Sequence, residues 1–138
     1  MAVVTISTDV ELRGSGSSFE RIQFGEAVTK GQLVYRKAAD GKYWLAQADD
    51  ASTAEVTHLV SNGGLADAWG YGAKTGNRVD PGAGTTITEK SYYLSSATAG
   101  AYGDFSDLGS GDSIVLVGSG LQSDEIETSF VNSGYTVP

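Results

Sequence analysis

The sequence predicts an all-β fold, a compact β-sandwich or β-barrel built from hairpins. Three observations predict it. Short apolar runs recur, several with the period of two that marks a half-buried strand. Turn chemistry separates them, with 19 glycines in 138 residues. The helix-start signal at "DDAST", residues 49–53, is too short to hold a helix by itself. The length fits one domain with a real core. Residues 1–18 read as an N-terminal strand or arm with a flexible joint, and 19–138 as a single β domain.

Taken in order, residues 1–13 alternate, with Val4, Ile6, Val10 and Leu12 on one parity and Thr5, Ser7, Asp9, Glu11 and Arg13 on the other. "GSGSS", 14–18, is a flexible joint, so the strand before it either packs on its own domain or crosses to a neighbour. "FERIQFG", 19–25, reads as a strand, and "GEAVTKG", 25–31, as a short strand between turns. "LVYRKAADGKYWLAQA", 33–48, is a hairpin. Its Asp40-Gly41 pair favours a two-residue turn, because type I′ needs positive φ at both central positions. Apolar residues on both parities predict that these strands are covered on both faces, by a second sheet or another subunit. Asp49 or Asp50 is the expected cap of the short turn that follows. "EVTHLVSNGGLADAWGYG", 55–72, is a second hairpin turning at Asn62-Gly63, and 74–86 is a long polar loop. Strands are expected at 87–96, at the very apolar 113–120, and around 126–131, with a turn-rich stretch at 97–112.

The chain also echoes itself. Tyr35 leads through a turn ending at Gly41 to Tyr43, and Tyr93 through a turn ending at Gly100 to Tyr102. "HLVSNGGL", 58–65, parallels "VLVGSGL", 115–121. Two explanations stand: an internal duplication, or chance similarity between hairpins of biased composition.

Charge and composition narrow the function. Seventeen acidic and 9 basic residues give a net charge of -8, a field that repels phosphate and disfavours a nucleic-acid partner. Without cysteine there is no disulfide, thiolate nucleophile or cysteine metal site. No segment approaches a membrane span, and the start reads as a chain without a signal peptide, made in a cytoplasm. His58 is the sole histidine and lies in a strand pattern, away from any nucleophile elbow. Asp104, Asp107 and Asp112 offer oxygens for a calcium ion, but without EF-hand spacing and with the Asp-Gly chemistry of ordinary turns. "GYGAKTG", 70–76, lacks the glycine before Lys74 that a phosphate loop needs. The expectation is a protein that acts by contact and not by catalysis, without a cofactor.

The stretches "GEAVTKGQLVY", "DGKYWLAQADDASTAEV", "VDPGAGTTITEKSYYLSSATAG" and "LGSGDSIVLVGSGL" occur in an order that resembles the capsid decoration (cement) proteins of tailed phages, over roughly residues 25–121. Thr57-His58 departs from the small residue usual after "AEV". The resemblance implies a β-rich virion protein, often a homotrimer, seated on the outer surface of a phage head and stabilising contacts between major capsid proteins. Aromatics on hairpins suit that role, since they supply large contact area with few rotamers to freeze. The candidate capsid or intersubunit contacts are Val4, Ile6, Val10, Leu12, Tyr35, Trp44, Trp69 and Tyr71. The alternative is a receptor- or carbohydrate-binding module of a phage head or tail fibre, with Trp69 and Tyr71 beside Asp67 as its site. A small hydrolase built on His58 would need two carboxylates to converge on it.

Overall fold

The computed structural model describes residues 3–8, 10–13, 17–83, 87–122 and 124–138, the side chains of Asp107 and Gln122 excepted. It is all-β: two antiparallel sheets pack face to face as a β-sandwich. In chain order the strands are β1 (Glu11–Arg13), β2 (Phe19–Gln23), β3 (Leu33–Arg36), β4 (Tyr43–Leu45), β5 (His58–Val60), β6 (Trp69–Ala73), β7 (Arg78–Asp80), β8 (Ser91–Leu94), β9 (Tyr102–Gly103), β10 (Ser113–Gln122) and β11 (Glu125–Thr136). Among the described residues there are two 3-10 turns: Ala51–Thr53, capped by Asp50, whose carboxylate accepts from the Ser52 amide, and Phe105–Asp107, capped by Asp104. Among the described residues no helix is long and apolar enough to cross a membrane.

The five-stranded sheet has the order β2-β6-β5-β3-β4, and the six-stranded sheet β1-β7-β11-β10-β8-β9. With β1 set aside, the two orders are the same winding traced twice. A leading strand (β2 or β7) is followed by a hairpin (β3–β4 or β8–β9), then by two strands that return beside the hairpin's first arm and end against the leading strand. The sequence echo falls on equivalent places. Tyr35 and Tyr93 lie in β3 and β8, Tyr43 and Tyr102 in β4 and β9, and Leu59 and Leu116 in β5 and β10. In each hairpin the second tyrosine pairs with the residue after the first: Arg36 with Tyr43, and Leu94 with Tyr102. Gly41 and Gly100, each two residues before that tyrosine, both take positive φ, +70° and +77°. Of the two explanations for the echo, the repeated winding favours duplication.

Burial follows from strand parity. Leu33, Leu59 and Ala73 face the main core between the sheets and meet Val79, Ile87, Tyr92, Leu94, Val115, Val117 and Ile126. Their neighbours Val34 and Val60, with Ile22 on β2, face the other way. There they build a second cluster with Phe24 and Val28, roofed by the segments 24–31 and 61–68. The expectation that the 33–48 hairpin is covered on both faces is met within one chain.

Several local expectations are corrected. The β3–β4 loop encloses four residues, with the Lys37 amide bonded to the Lys42 carbonyl and the Gly41 amide to Lys37. Gly41 alone has positive φ, and Asp40 turns its carboxylate back onto the Lys42 amide and the Trp44 indole N–H. β5 and β6 do pair, but their connection runs over 61–68, because Val28 bridges Gly64 and holds that loop over Phe24. The polar stretch 74–86 contains β7, in which buried Val79 is flanked by Arg78 and Asp80. The last strand extends to Thr136.

The N-terminal segment is not one strand. It lies across its own domain as a strap. Val3 bridges Gly103, the Val4 amide bonds to the Tyr102 carbonyl, Ser7 and Thr8 bond to the Gly82 carbonyl, and Val10 bonds to Ser61. The predicted parity persists: Val4, Ile6 and Leu12 are half-buried against the main core and Val10 lies within it. Of the joint at 14–18, residues 14–16 lie outside the described residues, and Ser17 and Ser18 are tied to β7 and the residue before it: the Ser18 amide bonds to the Asn77 side-chain oxygen and the Arg78 amide to the Ser17 hydroxyl.

Candidate interaction surface

β6 reads "WGYGA", and its alternation builds the most prominent apolar surface on a strand of the five-stranded sheet. Gly70 and Gly72 face the second cluster, where there is no room for a side chain. A Cβ at Gly70 would stand 2.6 Å from the Phe24 ring, and one at Gly72 would stand 2.9 Å from the His58 Cβ. Trp69 and Tyr71 point the other way, beyond the reach of the six-stranded sheet, and remain 54% and 49% exposed. The Arg21 guanidinium of β2 lies 4.4 Å over the Trp69 ring, a cation–π contact that holds the indole in place. Gln23 donates to the Asp67 carbonyl at 3.0 Å, and Asp67 pairs with Lys42 at 2.5 Å. Gln23, Asp67 and Arg21 are thus already engaged within the chain.

On the opposite face sits the one buried histidine. His58 is 3% exposed, its Nε2–H donating to Glu20 at 2.7 Å and its Nδ1 lying 2.8 Å from the Thr57 hydroxyl. Tyr43 stands edge-on to the imidazole at 5.1 Å. Lys74 reaches the other oxygen of Glu20 at 3.3 Å. Burial holds the imidazole below its ordinary pKa, with the hydrogen bond to Glu20 opposing it. Glu20 in turn is held below the usual carboxylate range, first by that hydrogen bond. Among the described residues a single carboxylate is bonded to His58, where hydrolysis on the expected pattern calls for two. In the 104–112 loop, Asp104 caps a short turn by accepting from the Ser106 amide at 3.1 Å, and Asp112 accepts from the Gly109 amide at 2.8 Å. Their oxygens serve the turns that the Asp and Gly residues build.

The eight candidate contact residues separate sharply. Trp69 and Tyr71 are exposed and adjacent on one strand. Val10 is 3% exposed inside the core, so it is not a surface contact: its amide is tied to Ser61 and its side chain completes the sandwich. Val4, Ile6 and Leu12 pack against the chain's own core. Ile6 sits where Gly31 and Gly82 leave the backbone bare. Tyr35 is half-buried against the main core, and burial raises its phenol pKa. Trp44 packs against Gly25, donates to Asp40 at 3.1 Å and is covered by the Lys37 ammonium at 4.4 Å, which makes it a brace for its own hairpin. Sequence reasoning missed Arg21, whose position over Trp69 depends on β2 lying beside β6. The charge inside "FERIQ" was the one signal available.

No protein-family model, curated protein or solved structure matches this chain.

Proposed function

We propose that the chain is a structural virion protein that binds the outer surface of an assembled phage capsid as a homotrimer and stabilises contacts between major capsid proteins. What supports this reading is the resemblance of the ordered stretches over residues 25–121, from "GEAVTKGQLVY" to "LGSGDSIVLVGSGL", to those of decoration proteins. The exposed pair Trp69 and Tyr71 suits it as contact area, because rigid aromatics bury much surface at small entropic cost. A ligand that binds only the assembled lattice stabilises that lattice by mass action, and many copies multiply a modest energy per site. In this reading the protein acts by contact, not turnover, and its partner is protein, without a role for nucleic acid, membrane or cofactor. A carbohydrate-binding role at Trp69 is less well supported, since Asp67 and Gln23 are engaged internally and Arg21 covers the indole.

The test is to size the purified protein by light scattering, mix it with undecorated phage heads, and sediment them. Co-sedimentation at a saturating stoichiometry and a higher disruption temperature of the heads are expected. Absence of binding, or a glycan-array hit on a protein that ignores heads, overturns the reading.

A further inference from the structure

The repeated winding gives each sheet an equivalent leading strand, β2 in one and β7 in the other, and their outer edges are treated differently. The edge of β7 is filled by β1, antiparallel, with Glu11 opposite Asp80, Leu12 opposite Val79 and Arg13 opposite Arg78. Arg13 bonds diagonally to Asp80 at 3.0 Å. The far edges are closed too. β9 is met by Val3 and Val4, and β4 by Phe24 and by the Gly25 amide bonded to the Tyr43 carbonyl. β2 alone of these carries no further strand among the described residues.

The register says which groups that edge presents. The Phe24 amide bonds to Ala68, and the Ser61 amide bonds to Tyr71 from the other side of β6. Gly70 and Gly72 therefore turn their peptide groups toward β2 and pair with Ile22 and Glu20. Phe19, Arg21 and Gln23 turn their N–H and C=O groups outward. These residues share a face with Trp69 and Tyr71. An open row of peptide groups beside exposed aromatics is the arrangement that accepts an added strand.

We propose that β2 is a strand-acceptor edge. It takes an extended segment of a partner protein in antiparallel register, as β7 takes β1, with an acidic side chain opposite Arg21 and apolar side chains over Trp69 and Tyr71. The occupant is a different polypeptide and not a second copy. Symmetric antiparallel pairing of two β2 strands about residue 20, 21 or 22 would set Arg21 opposite Phe19, Arg21 or Gln23, so a second copy does not supply the acid; pairing about 21 also sets Arg21 against Arg21, and pairing about 20 sets Glu20 against Glu20. The inference rests on the capsid reading only for the identity of the partner, so its test has two arms.

In the first arm, amide exchange is followed with and without undecorated heads. The amides of residues 21 and 23 exchange freely in the isolated protein and become protected on binding. Arg21→Pro, which removes an outward N–H that the fold does not use, weakens head binding by about tenfold or more while leaving the urea midpoint near wild type. Gln23→Pro serves as the second variant if the first is unstable. In the second arm the probe is a synthetic ten-residue peptide of alternating threonine and valine with a central aspartate, its outer amides N-methylated against self-association. It protects the same amides, and a central-lysine version binds about fivefold more weakly. Head binding that is unchanged in both proline variants overturns the inference and leaves the capsid reading standing. If heads are not bound at all, the capsid reading fails and the peptide decides: protection at 21 and 23 supports the acceptor edge, and none overturns it. Protection of β2 that grows with protein concentration alone overturns it in favour of self-pairing.

Discussion

In the first half of the molecule, β2 to β6, the outer face of the sheet is roofed by residues 24–31 and 61–68, while the leading edge carries no further strand among the described residues. In the second half, β7 to β11, the leading edge carries β1, and no second cluster covers the outer face among the described residues. The winding is the same, so the difference comes from the segments laid over it. The roof is possible because Gly70 and Gly72 keep β6 flat on that face and Phe24 fills the space they leave. The filled edge of β7 is possible because the N-terminal strap is held at Tyr102, Gly82 and Ser61 before it reaches Arg78. One topology thus yields one half closed by a roof and one closed by a strand, and the proposed contact surface lies where neither reaches.

The roof gives the most severe test of that contrast. Phe24 is fully buried at the centre of the second cluster, so Phe24→Ala should cost about 3–5 kcal/mol, as much as Leu94→Ala in the main core. Urea unfolding with amide exchange over 24–31 and 61–68 measures it. A loss below about 1 kcal/mol would show that the roof is ornamental and that only one core holds the fold.

The strap comes next. Gly82 has φ +80°, and a Cβ there would stand 2.0 Å from the Thr8 carbonyl oxygen. Gly82→Ala should cost about 2–3 kcal/mol, the sum of left-handed strain and overpacking. It should also raise exchange at the Ser7 and Thr8 amides. Unchanged exchange there would mean that the strap is held elsewhere and that β1 reaches β7 without it.

A smaller effect belongs to His58, which lies beneath the roofed face of β5. Burial lowers its folded-state pKa from 6.5, so the unfolded chain binds more protons as pH falls below that value. Stability therefore declines as pH falls through 6.5 toward the folded pKa. Glu20 runs in the usual carboxylate sense. Its pKa is lowered from 4.5, so its contribution is complete above 4.5 and disappears in more acid solution. His58→Gln should flatten the first slope, measured by urea midpoints between about pH 7.5 and 5. An unaltered slope would assign it to another group. The smallest change is expected for Lys42→Ala. Its pair with Asp67 is exposed, and such pairs add little, so the midpoint should stay within error of wild type.

How much of this was legible beforehand depends on the range of the interaction. Ile22 and Phe24 in "FERIQFG", the even parity of Val4 to Leu12, the Asp50 cap and the apolar run at 113–120 could all be read, because each is set by residues a few positions apart. The two-residue turn at Asp40-Gly41 was misread because Asp40 finds better partners in the Lys42 amide and the Trp44 indole than in a type I′ geometry. The course of residues 1–13 was left open between two alternatives for a related reason. Alternation shows that Val10 needs cover, but not whose core supplies it. The candidate surface was legible in part, since Trp69 and Tyr71 alternate with glycines in plain sight.

By itself the sequence determined an all-β chain and the faces its strands present, and it offered a doubled hairpin plan as one of two explanations for the echo in its tyrosines and glycines. Strand order, the roof over Phe24, the seat of Ile6 between Gly31 and Gly82, the Glu20–His58 bond and the bare edge of β2 were decided only in the tertiary structure. The physical reason is that side-chain period is a property of one strand, whereas pairing joins peptide groups that are chemically alike in every strand. Which edges meet is settled by how distant segments fill the space left between them.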